Sequence, residues 1–313
     1  MVTTHRLLAG VDVGGTKVAV GLTDLDGRIV ASRRAVTAGL SGGAITEHMV
    51  QLLRDAIKQA ATTREQIGAV GISVPAVVDR TRGVVVWAPN IPGWQQEVAV
   101  AAPVAEAIGA PVTLCYDGHA WVTGEWWYGA ARGVRDIVLV AVGTGVGGGM
   151  ILDGRLHRGR VGVAGAVGWW TSFGGAGLEP APLETGHGWL ESLASGPAIA
   201  RAAGTATAEE ALAAARGGEP RAQAAVARAA EVLGAAAANL VSLVDPEVVV
   251  FAGGVIAGGA DLLLPRIREI VAREAQPQVA RGVCIVPAEL GEDAAWLGAA
   301  RLAVVETHEE EDC

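Results

Sequence analysis

The chain has 313 residues, of which 51% are hydrophobic and 44 are glycine, and its formal net charge is −9. A length beyond the roughly 250 to 300 residues that one core usually spans predicts two lobes with a cleft between them, and the composition excludes a disordered polymer in favour of an α/β protein rich in tight turns. The acidic balance argues against a nucleic-acid surface, and three cysteines without C-x-x-C spacing (Cys115, Cys284, Cys313) argue against a disulfide scaffold.

The N-terminus leads straight into a strand without a signal-peptide layout, and no apolar segment looks free enough of glycine and charge to span a bilayer, so a cytoplasmic protein is expected. Residues 7–13 form a short apolar run that ends in Gly14-Gly15-Thr16-Lys17 and resumes at 18–22, which reads as strand, glycine turn, strand. Asp26-Gly27 turns the chain into a third strand over 28–36. Residues 44–61 carry Ile45, Met49, Leu52, Leu53 and Ile57 at helical spacing, and 69–74 is a buried strand. The stretch 75–94 is a long turn-rich loop, a length that usually signals function. A helix is predicted over 97–108, a strand over 112–116, and a helix from His119 to Gly129, with residues 130–133 crossing into a second lobe.

That lobe opens with a second strand, glycine turn, strand unit: 137–142, the run Gly143-Thr144-Gly145-Val146-Gly147-Gly148-Gly149, and 150–152. Architectural duplication is therefore predicted. Residues 159–188 read as loops; 190–203, 208–215 and 221–244 as helices; 248–251 as a strand running into Ala252-Gly253-Gly254. A helix over 262–272, a strand over 283–286 and a helix over 294–305 complete the lobe, and the acidic tail 306–313 reads as a frayed end.

Two glycine turns of this kind, one from each lobe, suit the phosphates of a nucleotide. Bare backbone N–H groups can approach anionic oxygens closely, Thr144 adds a hydroxyl donor, Lys17 a cation, and Asp12 a carboxylate for magnesium through water. Asp117 lies at the carboxyl end of a predicted strand, where open α/β sheets bind ligands, and is the candidate base that takes a proton from an alcohol; the same position suits a helix cap. Asn90 can donate to and accept from a sugar hydroxyl or serve a plain turn. Gly253-Gly254 suits either approach to adenosine or a strand-to-helix turn. Glu191 at a helix start suits the macrodipole with or without a ligand. Trp169 and Trp170 lie in loop sequence where a wall for a sugar ring can form.

The combined pattern resembles the ROK family of sugar kinases, in particular its bacterial glucokinase branch. The stretches that carry the resemblance are Asp12-Val-Gly-Gly-Thr-Lys17, Asn90-Ile-Pro-Gly-Trp94, Tyr116-Asp-Gly-His119, Gly143-Thr-Gly-Val-Gly-Gly-Gly149, Leu190-Glu-Ser-Leu-Ala-Ser-Gly196, Phe251-Ala-Gly-Gly254 and the ending 290–300. They follow the family's order over nearly the whole chain. The resemblance implies a two-lobed ribonuclease-H-like, actin-like fold, with ATP and Mg2+ in the interlobe cleft. It implies Asp117 as base, Asn90 and Glu191 as sugar contacts beside Tyr116 and Trp169, and Asp12, Gly14, Gly15, Thr16, Lys17, Thr144, Gly145, Gly253 and Gly254 around the nucleotide. The expected lobes are residues 1–118 and 119–292, with 293–313 returning to the first. The family's regulators carry an N-terminal helix-turn-helix region, whereas this sequence opens at the first strand, so the resemblance leads to the expectation of a kinase and not a regulator. The expected partners are a small sugar, ATP and a second copy of the chain in a homodimer, without nucleic acid or membrane.

Three departures bear on substrate. Where the family has Gly-Glu-x-Gly-His, this chain has Gly165-Ala166-Val167-Gly168-Trp169, so the carboxylate and imidazole that hold the sugar are replaced. The family's zinc cysteines are missing, Trp189 standing where one is expected, and His187 alone cannot make a site, so no zinc is expected. The Asn that precedes the catalytic Asp is Tyr116. The expectation is an ATP-dependent kinase for the primary hydroxyl of a modified sugar, the amino sugar kanosamine first, with a C7 cyclitol or glucose as alternatives. A sugar-binding homologue without catalysis is the alternative of another class.

Overall fold

The apolar run Leu7–Val13, buried along most of its length, makes strand β1, and the chain turns at Gly14 to Thr16 into the antiparallel β2, Lys17–Thr23, and then β3, Ile29–Val36. The structure, a computed structural model, describes residues 7–37, 39–171 and 188–309. Helix α1 (Gly43–Gln59) follows and turns Ile45, Met49, Leu52, Leu53 and Ile57 inward. Strand β4 (Ile67–Val74) then joins β1 in parallel. The stretch expected as a long loop contains β5 (Val77–Asp79) and β6 (Val84–Trp87), which with β7 (Val98–Ala99) make a three-stranded antiparallel sheet. Strand β7 also delays the next helix, α2, to Ala101–Ile108. Strand β8 (Val112–Tyr116) pairs in parallel with β4, and α3 (Asp117–Tyr128) starts directly from it, two residues earlier than the sequence suggests.

The second sheet opens with β9 (Ile137–Val142) and β10 (Val146–Leu152), joined by a turn of Gly143, Thr144 and Gly145 alone. Gly147 to Gly149 belong to the strand, not the turn. The reason is packing: a Cβ on Gly148 would run into the Leu139 carbonyl oxygen. After β11 (Arg155–Leu156), the helix expected over 190–203 is two helices, α4 (Trp189–Ala194) and α5 (Gly196–Ala203). Ser195 breaks them, because it adopts extended backbone and its hydroxyl caps the Ala198 N–H, with proline at the start of α5. Helices α6 (Ala208–Arg216) and α7 (Pro220–Val244) lead to β12 (Val248–Ala252). Helix α8 (Gly254–Glu274) begins at once after Gly253, well before the expected start, and kinks at Gly259. Helix α9 (Pro277–Ala280), β13 (Cys284–Pro287) and α10 (Ala294–Glu309) end the order.

Helix α7 corrects one expectation: it is long and apolar enough to cross a membrane. Its apolar face is instead buried in the core of its own unit through Val226, Ala230, Leu233, Ala237 and Val241, which explains the composition without a bilayer.

The two sheets share one connectivity. The first runs β3-β2-β1-β4-β8 and the second β11-β10-β9-β12-β13, each with two antiparallel strands followed by three that run parallel. Chain contacts divide the protein into one unit of Met1–Gly129, Arg158–Ala164 and Asp293–Cys313, and another of Ala130–His157 and Gly165–Glu292. Helix α3 thus stays whole in the first unit, past the boundary expected at residue 118.

Within the first unit, Ala9, Val11 and Val13 face the α1 core, while Leu8 faces α10. Helix α10 lies backbone against backbone on its neighbours: a Cβ on Gly10 would strike the Trp296 carbonyl, one on Gly71 the Ala299 carbonyl, and one on Gly298 the Ala120 carbonyl of α3. Replacing a helical glycine by alanine ordinarily stabilises by about 1 kcal/mol. Here Gly298→Ala is expected to lower the unfolding free energy by about 2 kcal/mol, because the methyl group forces α10 off α3. Urea unfolding measures this, and a gain in stability would contradict the seating of α10.

Candidate active site

In the first unit, three parallel strands end at one edge. Strand β1 ends beside Asp12, which pairs across the ladder with Ser73 of β4, and the Ser73 hydroxyl donates to Asp12 Oδ1 at 2.8 Å. Ser73 is fully buried, so it fixes a carboxylate that is itself half-buried. The sequence gives only a weak signal for Ser73, a hydroxyl inside an apolar strand. The turn that follows Asp12 is tied twice: Gly14 N–H donates to the Lys17 carbonyl at 2.8 Å, and Thr37 takes the Thr16 carbonyl through its N–H and the Gly15 carbonyl through its hydroxyl. Gly15, Thr16 and Lys17 are exposed.

The Asn90 loop lies against this turn, since a Cβ on Gly15 would come to 3.0 Å from the Asn90 carbonyl oxygen. Asn90 is exposed, and Trp94 below it is fully buried. The Trp94 indole N–H donates to the Gly42 carbonyl at 3.0 Å, while its main chain closes the loop through bonds from Ala88 N–H and to the Ile91 carbonyl. Trp94 is the anchor that turns a glycine-proline loop into a fixed support for Asn90.

Strand β8 brings Asp117 to the same edge, because Tyr116 pairs with Val74 in the β4 ladder. Asp117 is half-buried and sits in the first turn of α3, not in the capping position before it; its Oδ1 accepts the Gly118 N–H at 2.7 Å. A carboxylate there gains from the helix dipole. Tyr116 is buried, its ring set edge-on to His119 with centroids 5.2 Å apart, and His119 Nε2 donates to the Ala164 carbonyl at 3.2 Å.

In the second unit, the turn Gly143-Thr144-Gly145 ends β9 next to the end of β12. Gly253 lies over the Val142 carbonyl with φ of +89°, a conformation and a proximity that only glycine combines, and Gly254 is exposed at the start of α8. Gly196, the first residue of α5, donates its N–H to the Gly143 carbonyl at 2.7 Å. One glycine turn therefore has the first turns of α5 and α8 beside it, an arrangement suited to anions. Glu191 of α4 joins the same cluster by accepting the Val146 N–H at 2.8 Å. Trp169, in a single 3-10 turn over Val167–Trp169, is 42% exposed, and Ala166 precedes that turn.

Among the described residues no group of three or more His, Cys, Asp and Glu side chains is placed to hold a metal ion. Most of the 173–190 segment where zinc is not expected, including His187, lies outside the described residues.

A doubled sheet unit with glycine turns and carboxylates at the ends of its strands is the framework of phosphoryl-transferring, actin-like proteins. The chain belongs to the ROK family, whose pattern matches residues 8–306. It is 34% identical to the glucokinase of Streptomyces coelicolor over 95% of this chain and 97% of that protein. Among solved structures it is similar to the ROK hexokinase of Thermus thermophilus, with a TM-score of 0.82 and 32% identity over 97% of this chain and 100% of the other. It is also similar to a ROK glucokinase of Streptomyces griseus in complex with glucose and AMPPNP, with a TM-score of 0.81 and 30% identity over 96% and 99% of the two chains. The fold is thus the ribonuclease-H-like, actin-like fold of ROK sugar kinases.

Proposed function

We propose that this protein is an ATP-dependent sugar kinase that transfers the γ-phosphoryl group to the primary, 6-position hydroxyl of a hexose-like substrate. The observation that carries the reading is Asp117: a half-buried carboxylate at the carboxyl end of β8, on the strand edge shared with Asp12 and Ser73, in a chain aligned end to end with glucokinases. In the proposed step the Asp117 carboxylate accepts the hydroxyl proton as the sugar oxygen bonds to the γ-phosphorus. The bond from that phosphorus to the β,γ-bridging oxygen breaks, and ADP leaves. Gly14 to Lys17 and Thr144 with Gly145 supply N–H, hydroxyl and ammonium donors for the phosphates, and Gly253 with Gly254 lets the backbone approach the nucleoside.

Asp12 fits a magnesium ion as a hard oxygen donor that reaches it through water, and bound magnesium would neutralise charge on the phosphates. Asn90 and Glu191 are the proposed sugar contacts, with Tyr116 and Trp169 shaping the site.

The same reading makes the sugar a modified one. Ala166 and Trp169 take the positions of the family's carboxylate and imidazole, and Trp169 offers an exposed apolar face instead. A site that has lost polar partners no longer rewards the hydroxyls they would have bound. Kanosamine is therefore the first candidate and a C7 cyclitol the second, each phosphorylated on its exocyclic CH2OH.

Two tests follow from this. Asp117→Asn keeps the shape but removes the proton acceptor, so Mg-ADP affinity is expected to stay near wild type while kcat falls by about a thousandfold or more. Turnover within about tenfold of wild type would contradict the role of Asp117 as base. The second test compares kcat/KM for kanosamine, a valiolone-type cyclitol, N-acetyl amino sugars and glucose by ADP release. The proposal expects glucose to be the poor substrate; a clear preference for glucose contradicts the specificity argument, and no ADP release with any of them favours a non-catalytic sugar-binding protein.

A further inference from the structure

We infer that Glu191 is a positioning residue for the glycine turn that receives the nucleotide phosphates, a role separate from sugar contact and one that rests on the kinase reading above. The Val146 N–H, at the exit of the Gly143-Thr144-Gly145 turn, donates to Glu191 Oε2 at 2.8 Å. The turn's composition makes room for that carboxylate: a Cβ on Gly145 would lie 2.5 Å from Oε2 and 3.3 Å from the carboxyl carbon. Two further glycines bring the helix that carries Glu191 close enough. A Cβ on Gly168 would collide with the Val146 carbonyl and touch Glu191 Cβ at 3.5 Å, and one on Gly188 would collide with the Gly168 carbonyl and come to 2.5 Å from the Trp169 Cα. The exit of the turn and the Gly168 segment thus both close on this one side chain.

The entry of the turn is held by the same part of the chain. Gly196 N–H donates to the Gly143 carbonyl at 2.7 Å, and Ser195 joins α5 directly to the end of α4. Helices α4 and α5 therefore grip the turn at both ends, Glu191 at Val146 and Gly196 at Gly143. Two glycines and a threonine would otherwise sample many backbone states, and ordering them on binding would weaken nucleotide affinity. A bond from a backbone N–H to a carboxylate is among the stronger hydrogen bonds, strong enough to preset the turn before ATP arrives. Because the Trp169 backbone shares this packing, the carboxylate also joins the segment proposed to face the sugar to the turn proposed to face the phosphates.

The test is calorimetric titration of sugar-free protein with Mg-ADP, for wild type, Glu191→Gln and Glu191→Ala, with amide exchange at Val146 as a second readout. Glutamine keeps an oxygen acceptor, so its Mg-ADP affinity is expected within about threefold of wild type; alanine removes the acceptor, and affinity is expected to fall about tenfold or more while Val146 exchange accelerates. Glu191→Ala with wild-type affinity and wild-type exchange at Val146 overturns the inference, since a residue that only contacts sugar would leave both unchanged. If Glu191→Ala does not fold, Gly145→Ala serves instead: its methyl group displaces the carboxylate, and the same loss of affinity and protection is expected, with unchanged values overturning the inference. Wild-type protein that binds no Mg-ADP would refute the kinase reading itself, an outcome distinct from either of these.

Discussion

At Gly10 and Gly71, α10 meets the first sheet backbone to backbone. Cβ atoms at Gly10 and Gly71 would occupy the space of the Trp296 and Ala299 carbonyls, so β1 and β4 lie directly on the helix backbone. Those two strands end at Asp12 and at Ser73 with Val74, the edge where the proposed chemistry occurs. Trp296 completes the contact: its ring fills the space above Gly21, it is fully buried, and its indole N–H donates to Asp293 Oδ1 at 2.7 Å, an oxygen that also accepts from Arg34 of β3. Burying an indole of this size contributes up to about 5 kcal/mol from area alone. The last helix of the chain thereby holds β1, β2, β3 and β4 in place, and with them the carboxylate and glycine turn at the sheet's edge.

The second unit reaches the same end differently. Its turn is fixed from the side by α4, α5 and Gly253, through contacts between main chain and main chain or between main chain and one carboxylate. In both units the groups proposed to face phosphate are largely backbone N–H groups, whose direction is set by the fold and not by rotamers. Preset donors of this kind need little reorganisation as charge moves during phosphoryl transfer. On the proposed sugar side, by contrast, side-chain identity matters, since the side chains at Ala166 and Trp169 can differ without altering this frame.

Much of this was legible in the amino-acid sequence, because apolar runs and glycine turns are local signals. The doubled strand, turn, strand unit and the helical spacing of Ile45, Met49, Leu52 and Leu53 correspond to elements of the structure. What escaped depends on contacts distant in sequence. Gly147 to Gly149 look like turn residues, yet they lie in β10, because the need at Gly148 is close approach to Leu139. Ser195 reads as one polar residue in a helix until its capping bond to Ala198 appears. The strands within 75–94 are short and become strands only by pairing with one another and with β7. The support of Asp12 by Ser73 and of Val146 by Glu191 spans many residues, and no spacing rule announces either. Helix α7 passes a compositional test for a membrane segment because an alanine-rich core helix and a bilayer helix satisfy the same count.

The most direct measurement of the central claim is the position of the new bond. Wild-type protein incubated with kanosamine, ATP and magnesium, and followed by phosphorus NMR, is expected to yield ADP and one phosphate ester in equal amounts. The ester phosphorus is expected to couple to two protons, as attachment to the exocyclic CH2 requires. ADP formed with inorganic phosphate alone, or an ester whose phosphorus couples to a single ring proton, would contradict the account.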